Sequence, residues 1–456
     1  MYLKSDASKV WSGWIQMAKY LEHNLTIYKN ADGIYYEDQE GKKYIDGISN
    51  LLSSNLGHKN KNIAERIIMQ LNKLDSCTLI GASSDISIEY ADKITNLLNG
   101  DFKHVFFTNS GSEGADTAIK IAKQYFYNEG KASKSKIITL KDSYHGSTIA
   151  AICASGNEYN MRAFGDKLTS FLQVNGPSII YKPKQLTEKE WCEKCLKELE
   201  EAILGNGADN IAAVMLEPVQ LSNAVSVFHN NYFLGVKKLC DKYNVLLIVD
   251  EVATGFGRTG NIFAYKEWGI VPDIVIVSKA ITNGVIPLGG VMVTEKIYEQ
   301  FLGDYNSKRE LSHGYTSSGN PLACAAAIAT LEVLCGENII ANVKAKSISF
   351  ISEMKKLENF RFIDFVQGKG YMIGIKVNES FYTSKYPDID LSGVIVALIK
   401  SKGLITYYDG GGKIFIAPPL ICNEQDLEKI FKIIKGSLQI IDQLFDLKER
   451  KENREL

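Results

Sequence analysis

The sequence predicts an α/β fold in which helices cover a mostly parallel sheet, with a smaller α+β domain after it. Apolar runs alternate with helix-period segments from about residue 87 to 295, a pattern typical of parallel strands joined by helices. Several runs, such as 245–249, are apolar without interruption, as strands buried on both faces are. After the Ala-rich helix predicted at 321–334 the composition changes, which indicates a second domain.

Local patterns predict the individual elements. Two aromatic runs around Gly41 predict a hairpin within residues 34–47, and apolar residues at helical spacing predict a helix over 62–74. Further strands are predicted at 105–108, 136–140, 211–216, 245–249, 274–277, 372–377 and 414–417 and near Ile405, with helices at 113–127, 232–243, 321–334, 391–401 and from about 427 onward. Residues 160–200 have no regular pattern. We predict an N-terminal segment of the small domain (1–60), a large domain (61–335) and a C-terminal α+β domain (336–456).

Composition and charge exclude several classes of protein. Of the 456 residues, 45% are hydrophobic and 23% charged, as in ordinary soluble proteins. A formal net charge of −1 gives no reason to expect a nucleic acid or an anionic membrane as partner. No apolar run reaches membrane-spanning length and the N-terminus has no signal-peptide core. We therefore expect a cytoplasmic protein.

The eight cysteines have no disulfide-framework spacing. Cys192 and Cys195 have C-x-x-C spacing, but they lie in a charged, helix-like run without a second pair nearby. This context favours buried thiols over a zinc or redox site. The six histidines are scattered along the chain, so we expect no metal.

Two predicted strands are followed by loops suited to a phosphorylated aromatic ligand. Residues 109–113 (Asn-Ser-Gly-Ser-Glu) precede a helix, whose free N–H groups, with Gly111 allowing close approach, suit a phosphate. An ordinary serine N-cap is an equally good interpretation. Tyr144 follows the next strand, where it could stack on a flat ring; a loop tyrosine without such a role is the more common case.

An acid and an amine follow two further predicted strands. Asp250 at a buried strand end needs a positive partner, which a protonated pyridine nitrogen would supply; capping of the glycine loop or pairing with Arg258 is the alternative. Lys279 follows an apolar strand, where desolvation would lower its pKa and suit it to Schiff-base chemistry. The alternative is a surface lysine. This pairing is what a pyridoxal phosphate enzyme needs.

The combined motifs resemble the class III (ω-) aminotransferase family of fold-type I pyridoxal phosphate enzymes. The matching segments are 109–113, 144–146 (Tyr-His-Gly), 217–219 (Glu-Pro-Val), 250–260, Ser278-Lys279 and 313–322. The resemblance implies a seven-stranded sheet, with Lys279 as Schiff-base lysine, Asp250 as pyridinium partner, and Tyr144 and Val252 on the two ring faces. It also implies a homodimer with shared active sites, Thr316 coming from the second subunit. Further expected cofactor contacts are Gly111, Ser112, His145 and Glu217.

The sequence departs from the family where substrate is bound. Within the family it is most similar to adenosylmethionine–8-amino-7-oxononanoate aminotransferases, with ω-amino acid:pyruvate aminotransferases next. Both branches carry a carboxylate-binding Arg ten residues before a Pro-Pro motif, but counting back from Pro418 gives Tyr408, and no Arg occurs between Arg361 and Arg450. Lys413 could substitute only as a point charge. The expected substrate residues are Trp14, Leu52, Tyr408 and Arg258, of which the first two replace a Tyr and a Trp.

The resemblance implies transfer of an amino group from a small-molecule amine or amino-acid donor to a ketone or aldehyde acceptor, by ping-pong kinetics. Without the usual Arg, we expect at least one substrate to lack a carboxylate near its reacting group. Racemisation or epimerisation of an amino acid on the same scaffold is the alternative. A non-catalytic binding protein is a third reading, which the presence of Lys279 and Asp250 disfavours.

Overall fold

The computed structural model describes residues 4–98, 100–164, 169–383 and 389–455. Its strands are β1 (Tyr28–Asp32), β2 (Tyr35–Asp38), β3 (Lys43–Asp46), β4 (His104–Thr108), β5 (Lys136–Leu140), β6 (Phe171–Val174), β7 (Ile211–Leu216), β8 (Val219–Gln220), β9 (Ser226–Val227), β10 (Leu246–Asp250), β11 (Ile274–Val277), β12 (Gly289–Val293), β13 (Ile363–Lys369), β14 (Met372–Val377), β15 (Leu404–Ile405), β16 (Tyr407–Tyr408) and β17 (Lys413–Ile416). The α-helices span Lys4–Ala7, Met17–Lys19, Lys61–Leu71, Asp85–Asn96, Gly111–Asn128, Ile149–Ala154, Glu158–Met161, Glu188–Gly205, Asn231–Lys242, Glu295–Glu299, Pro321–Gly336, Ile339–Lys355, Glu379–Thr383, Leu391–Ser401 and Glu424–Glu455.

The central sheet has seven strands in the order β4-β12-β11-β10-β7-β5-β6. Only β12 runs against its neighbours β11 and β4; from β11 to β6 all neighbouring pairs are parallel. The predicted mostly parallel, seven-stranded α/β fold is therefore confirmed. Because β4 also runs with the majority, five strands that precede candidate site residues end at the same edge of the sheet.

Alternate residues of the central strands pack into different cores. On β10, Leu246 and Ile248 join the cluster that includes Ala118 and Phe126 of the Gly111–Asn128 helix. Leu247 and Val249 join the larger cluster on the opposite face. Burial on both faces explains why this strand has no polar residue before Asp250.

The N- and C-terminal regions share a sheet. β1, β2 and β3 form an antiparallel meander, and β3 pairs in parallel with β15, placing Ile45 opposite Leu404. β13, β14, β17 and β16 form a separate antiparallel sheet. The boundaries after residues 60 and 335 stay predictions.

The sequence pattern left several elements unpredicted, among them β12, β13 and the Asp85–Asn96 helix. Residues 160–200 contain β6 and the start of the Glu188–Gly205 helix, which has a capping box of Thr187 and Glu190; residues 165–168 lie outside the described part. β1 was not predicted because its side chains are mostly exposed and polar, so that it lacks an apolar face.

Within the part of the chain described, no single helix is long and apolar enough to span a membrane. The helices Pro321–Gly336 and Ile339–Asn359, which meet at a bend, reach the required length and apolar composition only when they are taken together. The eight cysteines are free thiols. Cys192 and Cys195 are buried in the Glu188–Gly205 helix, and burial raises their pKa values to about 11 and about 12. Such thiols are poor metal ligands and nucleophiles.

Candidate active site

Five loops meet at the carboxyl edge of the sheet. They follow β4, β5, β7, β10 and β11, and side-chain hydrogen bonds join the first four of them. The Tyr144 N–H donates to Glu217 Oε1 at 3.0 Å, His145 Nδ1 lies 2.8 Å from Asp250 Oδ2, and the Ser147 N–H donates to Ser112 Oγ at 3.0 Å. Residues far apart in sequence therefore form one polar cluster.

Asp250 is held in a fixed orientation at the end of β10. Its side chain is 4% exposed, and besides His145 it accepts the Val252 N–H at 3.0 Å. The neighbouring Glu251 faces the other way, accepting hydrogen bonds from the Thr254 hydroxyl and the Tyr265 N–H. Asp250 is therefore the carboxylate at this strand end that points into the cluster.

Lys279 begins a short 3₁₀ turn directly after β11 and has a left-handed backbone, with φ of 50°. Burial lowers the pKa of its amine, Asp250 and Glu217 oppose that shift, and Arg258 adds to it. A non-glycine residue in this conformation is strained and is common at functional sites. The amine lies in the field of two carboxylates with its pKa nearer to neutrality than that of a surface lysine.

The helix Gly111–Asn128 points its N-terminus at the same cluster. Ser110 caps it, accepting the Glu113 N–H on its hydroxyl at 3.2 Å and the Gly114 N–H on its carbonyl at 3.0 Å. Within the described residues, the N–H groups of Gly111 and Ser112 have no acceptor. These are free donors at the positive end of a helix dipole, as an anion requires.

Two glycines keep this helix end open. A Cβ on Gly111 would lie 2.9 Å from Val252 Cγ1, and one on Gly146 would lie 2.7 Å from the Ser112 Cα. Gly146 also has φ of 142°. Glycine at these positions lets the loop after β5 and the residue after Glu251 approach the helix N-terminus closely.

Glu217 and His145 complete the buried polar group. Burial raises the pKa of Glu217 to about 7, with His145 opposing the shift and Asp250 adding to it. His145 Nε2 is buried and has no partner among the described residues. A buried ring nitrogen without a partner is unusual.

Trp14 contacts Tyr144, whereas Leu52 lies in a separate apolar cluster. The Trp14 ring meets the Tyr144 ring edge-on, with centroids 6.3 Å apart, and is 62% exposed. Leu52 is buried against an apolar cluster that includes Val219 and Phe415. It ends the turn Ser49–Leu52, whose four residues all have φ between 48° and 66°.

Arg258 is not placed as the sequence predicts. Its guanidinium is fully buried and donates to the carbonyls of Tyr371 and Pro418, to Ser49 Oγ and to Asn55 Oδ1. Burial lowers its pKa to about 9. These bonds join the N-terminal segment to the C-terminal region and occupy both terminal nitrogens of the guanidinium, while its Nε is buried without a partner among the described residues. The geometry favours a structural role.

Tyr408 faces away from the cluster. Its hydroxyl donates to Asp390 Oδ2 at 3.0 Å, and this bond, after burial, raises its pKa to about 12. Its strand neighbour Tyr407 faces the other way, with its ring 5.8 Å from that of Phe415 and its phenol close enough to Tyr144 and Asp409 for both to raise its pKa, after burial. Tyr407 is therefore the residue of β16 on the site side.

Comparison with known proteins settles the family. The family model described as "Aminotransferase class-III" matches residues 17–438. The chain belongs to the class-III aminotransferase family.

Its relatives agree with that assignment. The adenosylmethionine-8-amino-7-oxononanoate aminotransferase of Staphylococcus aureus is 33% identical over 442 residues, covering 96% of this chain and 97% of the relative. The enzyme of the same name from Methanocaldococcus jannaschii is 33% identical over 438 residues, covering 93% and 95%. Neither match gives support to the racemase alternative.

Solved structures of ω-transaminases have the same fold. An (S)-enantioselective ω-transaminase from Thermomicrobium roseum superposes with a TM-score of 0.90 and 31% identity, covering 96% of this chain and 98% of that one. The Pseudomonas jessenii ω-transaminase in complex with PMP has a TM-score of 0.92 and 29% identity, covering 97% and 99%. The protein is thus a pyridoxal phosphate-dependent aminotransferase.

The residues present fit that cofactor. The free N–H groups of Gly111 and Ser112 suit its phosphate, the buried carboxylate of Asp250 suits a protonated ring nitrogen, and the amine of Lys279 lies near both carboxylates. Without a bound partner, burial of these N–H groups, carboxylates and the amine would destabilise the fold.

Two candidate substrate residues were missed by sequence reasoning. Counting back from Pro418 selected Tyr408, whereas the structure places Tyr407 and Asp409 on the site side. The three consecutive glycines Gly410, Gly411 and Gly412, all with positive φ, form an irregular turn that a fixed count cannot follow. The period-two alternation from Ile405 was the signal that would have found Tyr407.

Proposed function

We propose that Lys279 attaches the cofactor and afterwards carries the proton between the substrate carbon and the cofactor. When bound, pyridoxal phosphate supplies an aldehyde that accepts the amino group and a ring that withdraws electrons. A lysine must be uncharged to act as a nucleophile or base, and the lowered pKa of Lys279 favours that form. Its strained position directly after β11 supports this assignment.

We propose that Asp250 keeps the ring nitrogen protonated. His145 and the Val252 N–H fix the carboxylate without neutralising it by an arginine or lysine bond. Tyr144 and Val252 would enclose the ring, and Gly111 and Ser112 would hold the phosphate. Glu217 would orient the loop of Tyr144 through its bond to the Tyr144 N–H.

We propose that at least one substrate lacks a carboxylate near its reacting group. The observation that supports this proposal is that the described residues of the substrate side offer no free arginine: Arg258 is engaged in four hydrogen bonds, and the residue of β16 on the site side is Tyr407. Lys413 is also engaged, since its Nζ donates to the Ser222 carbonyl at 3.0 Å. An amine or diamine donor, or a ketone or aldehyde acceptor without an acid group, fits this site.

A donor and acceptor screen tests this proposal. Purified enzyme with its cofactor is mixed with single amines, and conversion of the cofactor to its amine form is followed by absorbance. We expect conversion with simple amines and poor turnover of 8-amino-7-oxononanoate with S-adenosylmethionine. Ordinary turnover of that pair, the substrates in the names of the relatives, would contradict the proposal.

We further propose a homodimer in which Thr316 completes the partner's site. Thr316 is exposed in the single chain, and Ile80, 67% exposed, lies against Gly314 near it. An exposed isoleucine beside an exposed loop is consistent with an interface.

Mixed dimers test site sharing. Lys279→Ala and Thr316→Asp proteins are prepared separately, each expected to be inactive, and are then unfolded and refolded together. In a shared-site dimer one of the two sites of each heterodimer is free of both changes, so activity returns. No recovered activity in a mixture of proven dimers would show that Thr316 serves its own chain or none.

We also propose that the protein works in the cytoplasm. Eight free thiols, most of them buried, suit a reducing compartment. Cell fractionation with an antibody tests this, and recovery in an extracellular or membrane fraction would contradict it.

A further inference from the structure

Asp409 is connected to the active site through a short series of contacts. Its Oδ2 lies 3.7 Å from Lys413 Nζ, which donates to the Ser222 carbonyl at 3.0 Å. The Ser222 hydroxyl donates to the Asp142 carbonyl at 2.7 Å, two residues before Tyr144. Asp409 lies two residues after Tyr407, whose phenol lies near that of Tyr144. The carboxylate therefore lies on the site side of the hairpin formed by β16 and β17.

The Asp409 carboxylate is covered but poorly paired. Only 21% of its side chain is exposed, and the Lys413 ammonium is beyond normal hydrogen-bonding distance. Burial raises the pKa of this carboxyl to about 6, with Lys413 and, more weakly, Lys376 opposing the shift. A carboxylate in such a place retains acceptor capacity that a cationic donor can use.

Asp390, on the other side of the same hairpin, provides a contrast. It accepts the Gly393 N–H at 3.0 Å as the N-cap of the Leu391–Ser401 helix, and it also accepts the Tyr408 hydroxyl. Asp390 thus has a structural role, in which its carboxylate caps a helix and accepts a side-chain hydrogen bond. Asp409, by contrast, has Lys413 as its charged partner at 3.7 Å.

We propose that Asp409 is a specificity-determining residue that binds a second, protonated amino group of the substrate, remote from the reacting one. The inference rests on the proposed function and names its substrate class: diamines and other amines with a distant cationic group. An acid then stands in the region of the pocket where relatives use an arginine, so that the charge preference of this region is reversed. Tyr407 and Trp14 would line the path between the two amino groups with aromatic surface, which favours cations.

Paired donors of equal length test the proposal. The half-reaction of the holoenzyme with cadaverine is compared with that of pentylamine, following the absorbance of the cofactor. We expect wild-type enzyme to prefer cadaverine by about 10-fold in kcat/KM, the value of one charged hydrogen bond in a partly exposed site. Asp409→Asn should abolish the preference, so that its kcat/KM values for cadaverine and pentylamine agree within about 3-fold.

Two further variants make the result decisive. Asp390→Asn, the same change on the opposite side of the hairpin, should keep the wild-type preference. Asp409→Lys should reverse it, favouring 5-aminopentanoate over cadaverine. Equal rates with both amines in wild type, or a preference that survives in Asp409→Asn, overturns the inference alone. Absence of reaction with every amine overturns the proposed substrate class, and the inference with it.

Discussion

The cofactor side and the substrate side of this active site are built differently. Asp250, Glu217 and Lys279 follow adjacent strands of one rigid sheet, and each of these strands is buried on both faces. Trp14, Leu52 and Tyr407 lie instead on an exposed N-terminal arm, a left-handed turn and a glycine-rich hairpin. The comparison teaches that the sheet fixes the chemistry, whereas irregular segments can change the substrate without disturbing it.

The largest expected effect is on the cofactor side. Lys279→Ala removes the proposed attachment and proton-carrying group, and we expect aminotransfer to fall by at least about 10³-fold. Single-turnover absorbance with an amine donor measures this. Lys242→Ala, an exposed lysine, should behave as wild type. A Lys279→Ala protein with near-normal turnover would remove Lys279 from the mechanism.

Substitution of Arg258 tests whether its role is structural or whether it binds substrate. Arg258→Met leaves the Tyr371 and Pro418 carbonyls and Asn55 without their donor, so we expect the free energy of unfolding to fall by about 3–5 kcal/mol. Denaturant titration measures the loss. Arg361→Met, which removes exposed pairs with Asp442 and Asp446, should cost about 1 kcal/mol or less. If Arg258→Met is stable but loses affinity for carboxylate substrates, Arg258 binds substrate after all.

Substitutions of the adjacent carboxylates Asp250 and Glu251 distinguish a catalytic charge from a structural one. Asp250→Asn should slow aminotransfer by about 10²-fold, because a neutral amide cannot hold a positive charge on the ring nitrogen. Glu251→Gln, one residue along the chain but directed at Thr254 and Tyr265, should slow it by less than about 3-fold. Equal losses in single-turnover assays of the two variants would show that charge at this strand end is structural.

Glu251 should instead change how stability depends on pH. Burial raises its pKa from 4.5 to about 7, so between these values the folded chain retains a proton that the unfolded chain has released. Its contribution to stability is complete below pH 4.5 and is lost as pH rises through 7. Glu251→Gln removes this loss, and from pH 5 to pH 8 it should gain about 2 kcal/mol relative to wild type. Thermal or denaturant unfolding at the two pH values measures the gain, and a constant difference would contradict it.

The smallest effect is expected far from both sides. Cys192→Ala with Cys195→Ala removes two buried thiols of high pKa, and we expect aminotransfer to be unchanged within about 2-fold, with no response to chelators or reductants. A metal-dependent or redox-dependent rate in wild type that disappears in this variant would give the C-x-x-C pair a function.

The sequence pattern was sufficient to predict a strand where burial along that strand is regular. β5, β7, β11 and β14 were predicted to the residue: β7 and β11 are uninterrupted apolar runs, and β5 and β14 are β-rich runs with one lysine each. The strand-end positions of Asp250 and Lys279 followed from runs of this kind. The mutual placement of these ends required pairing information, since a sequence does not state which strands are neighbours. The motifs supplied that information only through a resemblance.

The substrate side could not be predicted in the same way. The turn Ser49–Leu52 has four left-handed residues without a glycine, which no local preference favours. Ala417 and Arg258 hold it through long-range hydrogen bonds, and Asp46 through a local one. Counting back from Pro418 failed for a related reason, because the glycine-rich turn after Asp409 shifts the face that each residue presents.

The most direct test of the central claim compares pentylamine with 5-aminopentanoate, two donors that differ only in a terminal carboxylate. The half-reaction of wild-type holoenzyme with each is followed by cofactor absorbance. A site without a carboxylate-binding arginine should react with pentylamine at least as well as with the amino acid, as judged by kcat/KM. A preference of about 10-fold or more for 5-aminopentanoate, the value of a charged hydrogen bond, would show that the carboxylate is still bound and would contradict the account.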